Sequence, residues 1–226
     1  FNRDLDDLWY SLDRPFSGKD RCININDKKM EIKDWFFKAE WFDVFDFIEF
    51  LCEYYLGKDK IKEELIPQLN DVLEEEKSAY RIIDGIVTPL IDEEEIKEIE
   101  KALNPPDKFA PVRHHLKKSL EKLSERKNPD YSNSIKESIS AVGALVQIIQ
   151  CKKGTLGELI KNLNIHPALK KGFSNLYGWT SDEGGIRHPI YGNQLEPELA
   201  EARYMLVTVS AFVNYVITKY NKDEIE

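Results

Sequence analysis

The chain predicts a mainly α-helical protein with one short β-hairpin. Three observations carry this. Apolar residues recur at steps of three and four through most of the chain, a single Asp-Gly step stands between two short β-branched runs, and the last strongly apolar stretch is long enough for six helical turns. With 226 residues and 42% hydrophobic content, the chain is long enough for a sizeable core in one large or two small domains.

Residues 1–104 read as an acidic, aromatic-rich helical region. Leu5, Leu8, Trp9 and Leu12 fall at helical spacing, as do Ile32, Trp35 and Phe36. Trp41, Phe42, Phe45, Ile48, Phe50, Leu51, Cys52 and Tyr55 cover so broad a face that a buried helix is expected. Aromatics at this density can stack on bases, but at helical spacing among acids they are expected in a core. Ile61, Leu65, Leu69 and Leu73 continue an amphipathic helix over residues 60–78, with Pro67 as a kink or break. The period then changes. Tyr80 to Ile83, Asp84-Gly85 and Ile86 to Leu90 predict a hairpin near 80–90. A helix resumes from Asp92, its expected N-cap, to Leu103. The acid runs Glu74–Glu76 and Asp92–Glu95 lack paired histidines and match no calcium loop, so they read as solvated helix faces.

Asn104-Pro105-Pro106-Asp107 marks the expected boundary, with a second domain over 105–226. Helices are predicted over about 110–125, 131–151, 155–163, 166–176 and 197–220. Arg113-His114-His115 is read as surface or partner-facing, because adjacent histidines point to different sides of a helix and do not form a zinc pair. Ser134, Ser138, Ala141 and Leu145 form a narrow face suited to close helix packing. Asn133 and Glu137, one turn apart, either support a polar site or are solvated. Thr155 and His166 stand at helix starts, and Pro197 is placed at a first helical position. Gly154 and Gly157 make no phosphate loop. The last helix is too apolar to serve one face only, so it is expected to be central or to join a dimer contact.

Charge is uneven. Residues 1–104 carry 15 Lys and Arg against 27 Asp and Glu, whereas residues 105–226 carry 17 against 14. The first half would repel nucleic acid, so any RNA contact is expected in the second. No run of about 18 apolar residues occurs, which predicts no membrane span. The acidic start does not resemble a signal peptide, and a first residue other than Met suggests that further sequence precedes it. Cys22, Cys52 and Cys151 form no CxxC pair, which argues against a disulfide framework or zinc site and for small core residues in a reducing cytoplasm.

The most informative stretch is Ser181-Asp182-Glu183-Gly184-Gly185-Ile186-Arg187-His188-Pro189-Ile190. Arg187 can hold phosphate charge and His188 can move protons near neutral pH. The local alternative is a surface loop in which both merely cap or pair. Residues 105–226 resemble the HEPN superfamily, and the whole chain resembles AbiJ-type abortive-infection proteins. The resemblance rests on Arg126-Lys127-Asn128-Pro129-Asp130-Tyr131, on Asn133 to Val142, on Leu176 to His188 and on Ser210 to Tyr215, with Tyr80-Arg81-Ile82 and the acidic helix after it in the first half.

That resemblance implies a HEPN-like helical bundle, a homodimer with its site at the dimer groove, and a phage-defence effector that cleaves RNA, transfer RNA included, without metal or cofactor. Arg187 and His188 would be catalytic, the arginine holding the phosphate oxygens and the histidine moving the 2′-hydroxyl or leaving-group proton. Asp182 and Glu183 would either orient Arg187 or repel RNA, Asn133 and Glu137 would support the site, and an antitoxin or phage trigger would control it. The chain departs from the family pattern in two places. Arg187 is followed at once by His188 instead of by a histidine four to six residues on, and Gly143 stands where relatives carry an acid. The alternative implied is a non-catalytic HEPN module that dimerises and binds a nucleotide or a partner.

Overall fold

The structure is a computed structural model and describes residues 32–54, 59–182 and 196–223. It is mainly helical with one two-stranded antiparallel sheet among the described residues. The elements are α1 (Trp41–Tyr54), α2 (Asp59–Glu75), β1 (Arg81–Ile83), β2 (Ile86–Thr88), α3 (Glu93–Leu103), α4 (Ala110–Ser124), α5 (Tyr131–Gln150), α6 (Leu156–Lys161), α7 (Pro167–Asp182) and α8 (Leu199–Asp223). The chain divides into two compact units, Phe1–Gln68 and Leu69–Glu226, with the division inside α2.

In the first unit, residues 32–36 form a helical turn and α1 follows. Trp35 meets Phe47 edge-on at 5.4 Å, and Trp41 meets Phe45 at 5.8 Å. The buried helix expected here is instead half-buried. Cys52 is buried, whereas Phe42, Phe45, Ile48 and Phe50 are partly exposed and Trp41 is exposed. Apolar residues all around a helix exceed what one packed side can cover.

The second unit begins with the end of α2, which continues through Pro67 without a break. Lys77 adopts the left-handed conformation, and the Ser78 N–H reaches back to the Leu73 carbonyl at 2.8 Å, a Schellman ending. The hairpin is as predicted. Asp84 and Gly85 take φ of 49° and 85°, the signs a type I′ turn requires, and Ile82 pairs with Val87. Asn70 of α2 lies along the outer edge of β1. Its Oδ1 accepts from the Ile82 N–H at 2.7 Å, and its Nδ2 donates to the Ile82 carbonyl at 3.0 Å. Asp92 caps α3 as expected, accepting from the Glu94 and Glu95 N–H groups.

Pro105 and Pro106 carry the chain from α3 into a 3₁₀ turn, Asp107–Phe109, and then α4. Leu103 before this step and Phe109 after it are both buried in one hydrophobic core. The core is built from α3, α4, α5 and α8, with Ile83 and Leu90 from the hairpin and Leu159, Ile160 and Phe173 from α6 and α7. The last helix is central: Ala202, Met205, Leu206, Val209, Val213 and Val216 are buried, and it packs on α3, α4 and α5. Asn214 donates to the Glu98 carbonyl and carboxylate, and Arg203 donates to Glu95 at 2.7 Å, fastening α8 to α3.

The α4–α5 pair makes the most extensive helix–helix contact among the described residues. The small face predicted on α5 is used, and its serines meet Ser119 of α4. Ser119 Oγ donates to the Ser134 carbonyl at 2.8 Å, Ser134 Oγ donates to the Ser119 carbonyl at 2.8 Å, and Ser119 Oγ lies 2.7 Å from Ser138 Oγ. All three serines are buried.

Three further expectations are corrected. The helix placed over 166–176 runs on to Asp182 and takes in Tyr177-Gly178-Trp179, because a helix tolerates an isolated glycine and the flanking aromatics pack on the core. The last helix starts at Leu199, not Pro197. Glu198 ends the approach, and its N–H is bonded by Glu201 Oε2, the carboxylate half of a capping box. Cys151, expected in the core, is exposed as the left-handed C-cap of α5. Thr155 makes a full capping box with Glu158, and His166 Nδ1 accepts from the Ala168 N–H.

Two substitutions test this account. Ser119→Ala strands the Ser138 hydroxyl and should lower stability by about 1–3 kcal/mol, with much of that recovered in Ser119→Ala/Ser138→Ala. Gly143→Ala should stabilise by about 0.5–1 kcal/mol, since an added Cβ meets nothing within 4 Å. Urea denaturation of the three variants measures both.

Candidate functional site

Two helices bracket the Arg-His stretch. The end of α7 is held firmly: Thr180 is buried, its hydroxyl donates to the Tyr177 carbonyl at 2.8 Å, and Tyr177 and Trp179 pack on the core. The chain is described again from Glu196, just before α8. Arg187, His188 and Glu183 lie outside the described residues. Asp182 closes α7, and its side chain is likewise outside them.

The other two predicted residues have separate local partners. Asn133 belongs to the cap of α5. Asp130 accepts from the Asn133 N–H at 3.0 Å and from its side-chain amide at 2.7 Å. Burial alone would push the Asp130 carboxyl up. The two bonds from Asn133, helped by Lys122 and Lys136, outweigh it and hold the group below its ordinary value. Asn133 and Asp130 line a polar pocket of about 450 Å³ with Glu125, Tyr131 and Glu196. This pocket joins the start of α5 to the segment that leads into α8. Burial, together with the nearby Tyr80 and Glu198, raises the Tyr131 phenol.

Glu137 does not share this pocket. Its Oε2 lies 2.7 Å from His115 Nδ1, bridging α5 to α4, with both side chains partly exposed. The sequence reading placed His115 on the surface and missed the contact. The available signal was its position four residues before Ser119, at the edge of the buried face of α4 formed by Val112, Leu116, Ser119 and Leu120. The neighbouring cations serve another element. Arg113 and Lys117 stand 3.8 and 3.9 Å from Asp84, whose carboxylate is buried in the hairpin turn. Among the described residues, no three His, Cys, Asp or Glu side chains are grouped to hold a metal ion. No helix among them is long and apolar enough to cross a membrane.

Residues 4–105 match the family model of AbiJ N-terminal domain 4. The match spans a little under half of the chain, takes in the hairpin and α3, and supports a relationship to abortive-infection proteins. No curated protein and no solved structure matches the chain.

The cap at α5 has a pH signature. Because the folded state holds the Asp130 carboxyl below its ordinary value, its stabilising contribution is complete above the unfolded value near pH 4 and is lost as pH falls through the folded one. Asp130→Asn should therefore be less stable than the parent chain at neutral pH, and the gap should close below about pH 4. Thermal melts of both chains from pH 7 to pH 2 measure it.

Proposed function

We propose that this chain is a phage-defence effector that cleaves RNA without a metal ion, using Arg187 and His188. The observation that carries the reading is the match of residues 4–105 to an AbiJ N-terminal domain, joined in one chain to a helical second half that bears an adjacent arginine and histidine. The 2′-hydroxyl of the substrate supplies the nucleophile, so the protein must supply only charge stabilisation and proton transfer. His188 accepts the 2′ proton or protonates the leaving 5′ oxygen. Arg187 holds the non-bridging oxygens as negative charge builds. Pairing of two copies as a homodimer would let one histidine act as base and the other as acid.

Support from the remaining predicted residues is indirect. Asp182 and Glu183 would orient Arg187. Asn133 stabilises the start of α5 beside the segment entering α8, and Glu137 acts through His115. The acidic first half, which carries the AbiJ match, suits a sensing or restraining role toward a phage trigger or antitoxin in the cytoplasm. One specific feature favours a second reading: the histidine follows the arginine directly. In that reading Arg187 contacts phosphate alone, and the chain is a HEPN dimerisation and nucleotide- or partner-binding module.

The deciding experiment incubates labelled transfer RNA and total RNA with the protein in EDTA, beside Arg187→Ala/His188→Ala. Cleavage that leaves 2′,3′-cyclic phosphate ends and falls by at least about 100-fold in the variant is expected. No cleavage by the folded parent chain would favour the binding module.

A further inference from the structure

The seam between α4 and α5 carries an arrangement that takes no direct part in the proton transfer and charge stabilisation proposed for Arg187 and His188. The two helices are antiparallel. Successive contacts pair Lys122 with Asp130, Ser119 with Ser134 and His115 with Glu137. Beyond His115 the seam opens into a groove of about 370 Å³. Its walls are Pro111 of α4 and Ala144, Gln147 and Ile148 of α5, and it ends at Cys151, Lys152 and Lys153. Pro111 lies one helical turn before His115, and Ala144 lies two turns after Glu137. The dyad and the groove therefore follow one another, with roughly 20 Å of α5 from Glu137 to Gln150 and the two lysines just past its end.

Each part has a chemical preference. His115 Nδ1 lies 2.7 Å from Glu137 Oε2, which fixes the orientation of the ring. The other ring nitrogen remains for a ligand, and the side chain is 32% exposed. In the doubly protonated form the ring donates to Glu137 from one side and to a phosphate oxygen from the other. The groove walls are largely apolar and uncharged, suited to the flat face of a base. The far end presents two exposed lysines with no acid among the lining residues. An apolar slot with two lysines at one end and an imidazole one turn beyond the other complements a chain of bases joined by phosphates. Its length matches a few nucleotides, not one.

We propose that the α4–α5 seam binds a short single-stranded segment of RNA. A base lies in the groove between Pro111 and Ile148, one phosphate meets His115, and another meets Lys152 and Lys153. Glu137 is a positioning residue that acts through His115. The choice of RNA as the occupant rests on the proposed function, and the site is separate in sequence from Arg187 and His188.

The probe is a fluorescent 2′-O-methyl RNA hexamer, which lacks the attacking hydroxyl and reports binding alone. Ala144→Trp fills the groove, and Lys152→Glu/Lys153→Glu reverses the charge at an exposed end, so neither disturbs the buried serines. Each should weaken binding by about tenfold or more, as should His115→Ala, with melting curves confirming the fold. Bound hexamer should also slow alkylation of the exposed Cys151 thiol, followed by mass spectrometry. Undiminished affinity in all three variants, with Cys151 unprotected, overturns the proposal. The two readings fail separately. A chain that binds at the seam but cuts no RNA retires the nuclease and keeps the site. A chain that cuts RNA while the three variants bind normally retires the site and keeps the nuclease.

Discussion

The second unit depends on how closely α4 and α5 approach. Helices meet this tightly only where side chains are small, and small polar side chains removed from water must satisfy one another. Ser119, Ser134 and Ser138 meet both demands. Their hydroxyls and two backbone carbonyls close a set of bonds inside the core, so the pair has one register in which these three hydroxyls are all bonded. A slip along either helix would strand hydroxyls in an apolar interior, at about 1–3 kcal/mol each. An all-leucine seam would hold the helices farther apart and tolerate more than one register.

Other features follow from that register. It sets His115 opposite Glu137 one turn away, and it sets the depth of the groove beside Pro111. It also fixes the surface on which α8 lies, because α8 packs on α4 and α5 and is tied to α3 through Asn214 and Arg203. The last turns of α7 pack on this body, and Glu196 lies three residues before α8, so the Arg-His stretch stands between two helices of the same core. Polar contacts thus specify where the helices sit, while the apolar core supplies most of the driving force.

Local chemistry was the legible part of the sequence. Asp92, Thr155 and the Asp84-Gly85 turn each act within four residues of themselves, and each is where the residues placed it. Apolar stripes located the long helices for the same reason. What escaped was set by distance or by competition. The His115–Glu137 contact joins residues 22 apart and requires the α4–α5 register, which no local pattern states. The end of α7 was hidden because Gly178 and its neighbouring aromatics look like a loop until a core is present to bury them. Pro197 misled because Glu201 supplies a better start one turn on. Of the predicted site residues, Asn133 and Glu137 turned out to have different partners, and Arg187 and His188 remain a statement of sequence.

Asn70 has a consequence beyond holding the hairpin in place. A two-stranded sheet ends on each side in bare backbone, and such a rim can recruit a strand from another molecule. By occupying both the amide and the carbonyl of Ile82, this one side chain acts as the terminal rung of the ladder. The rim along β1 is thereby closed to strand addition at its central residue. A sheet of only three residues per strand thus keeps its smallest possible size, and that edge offers little purchase for self-association.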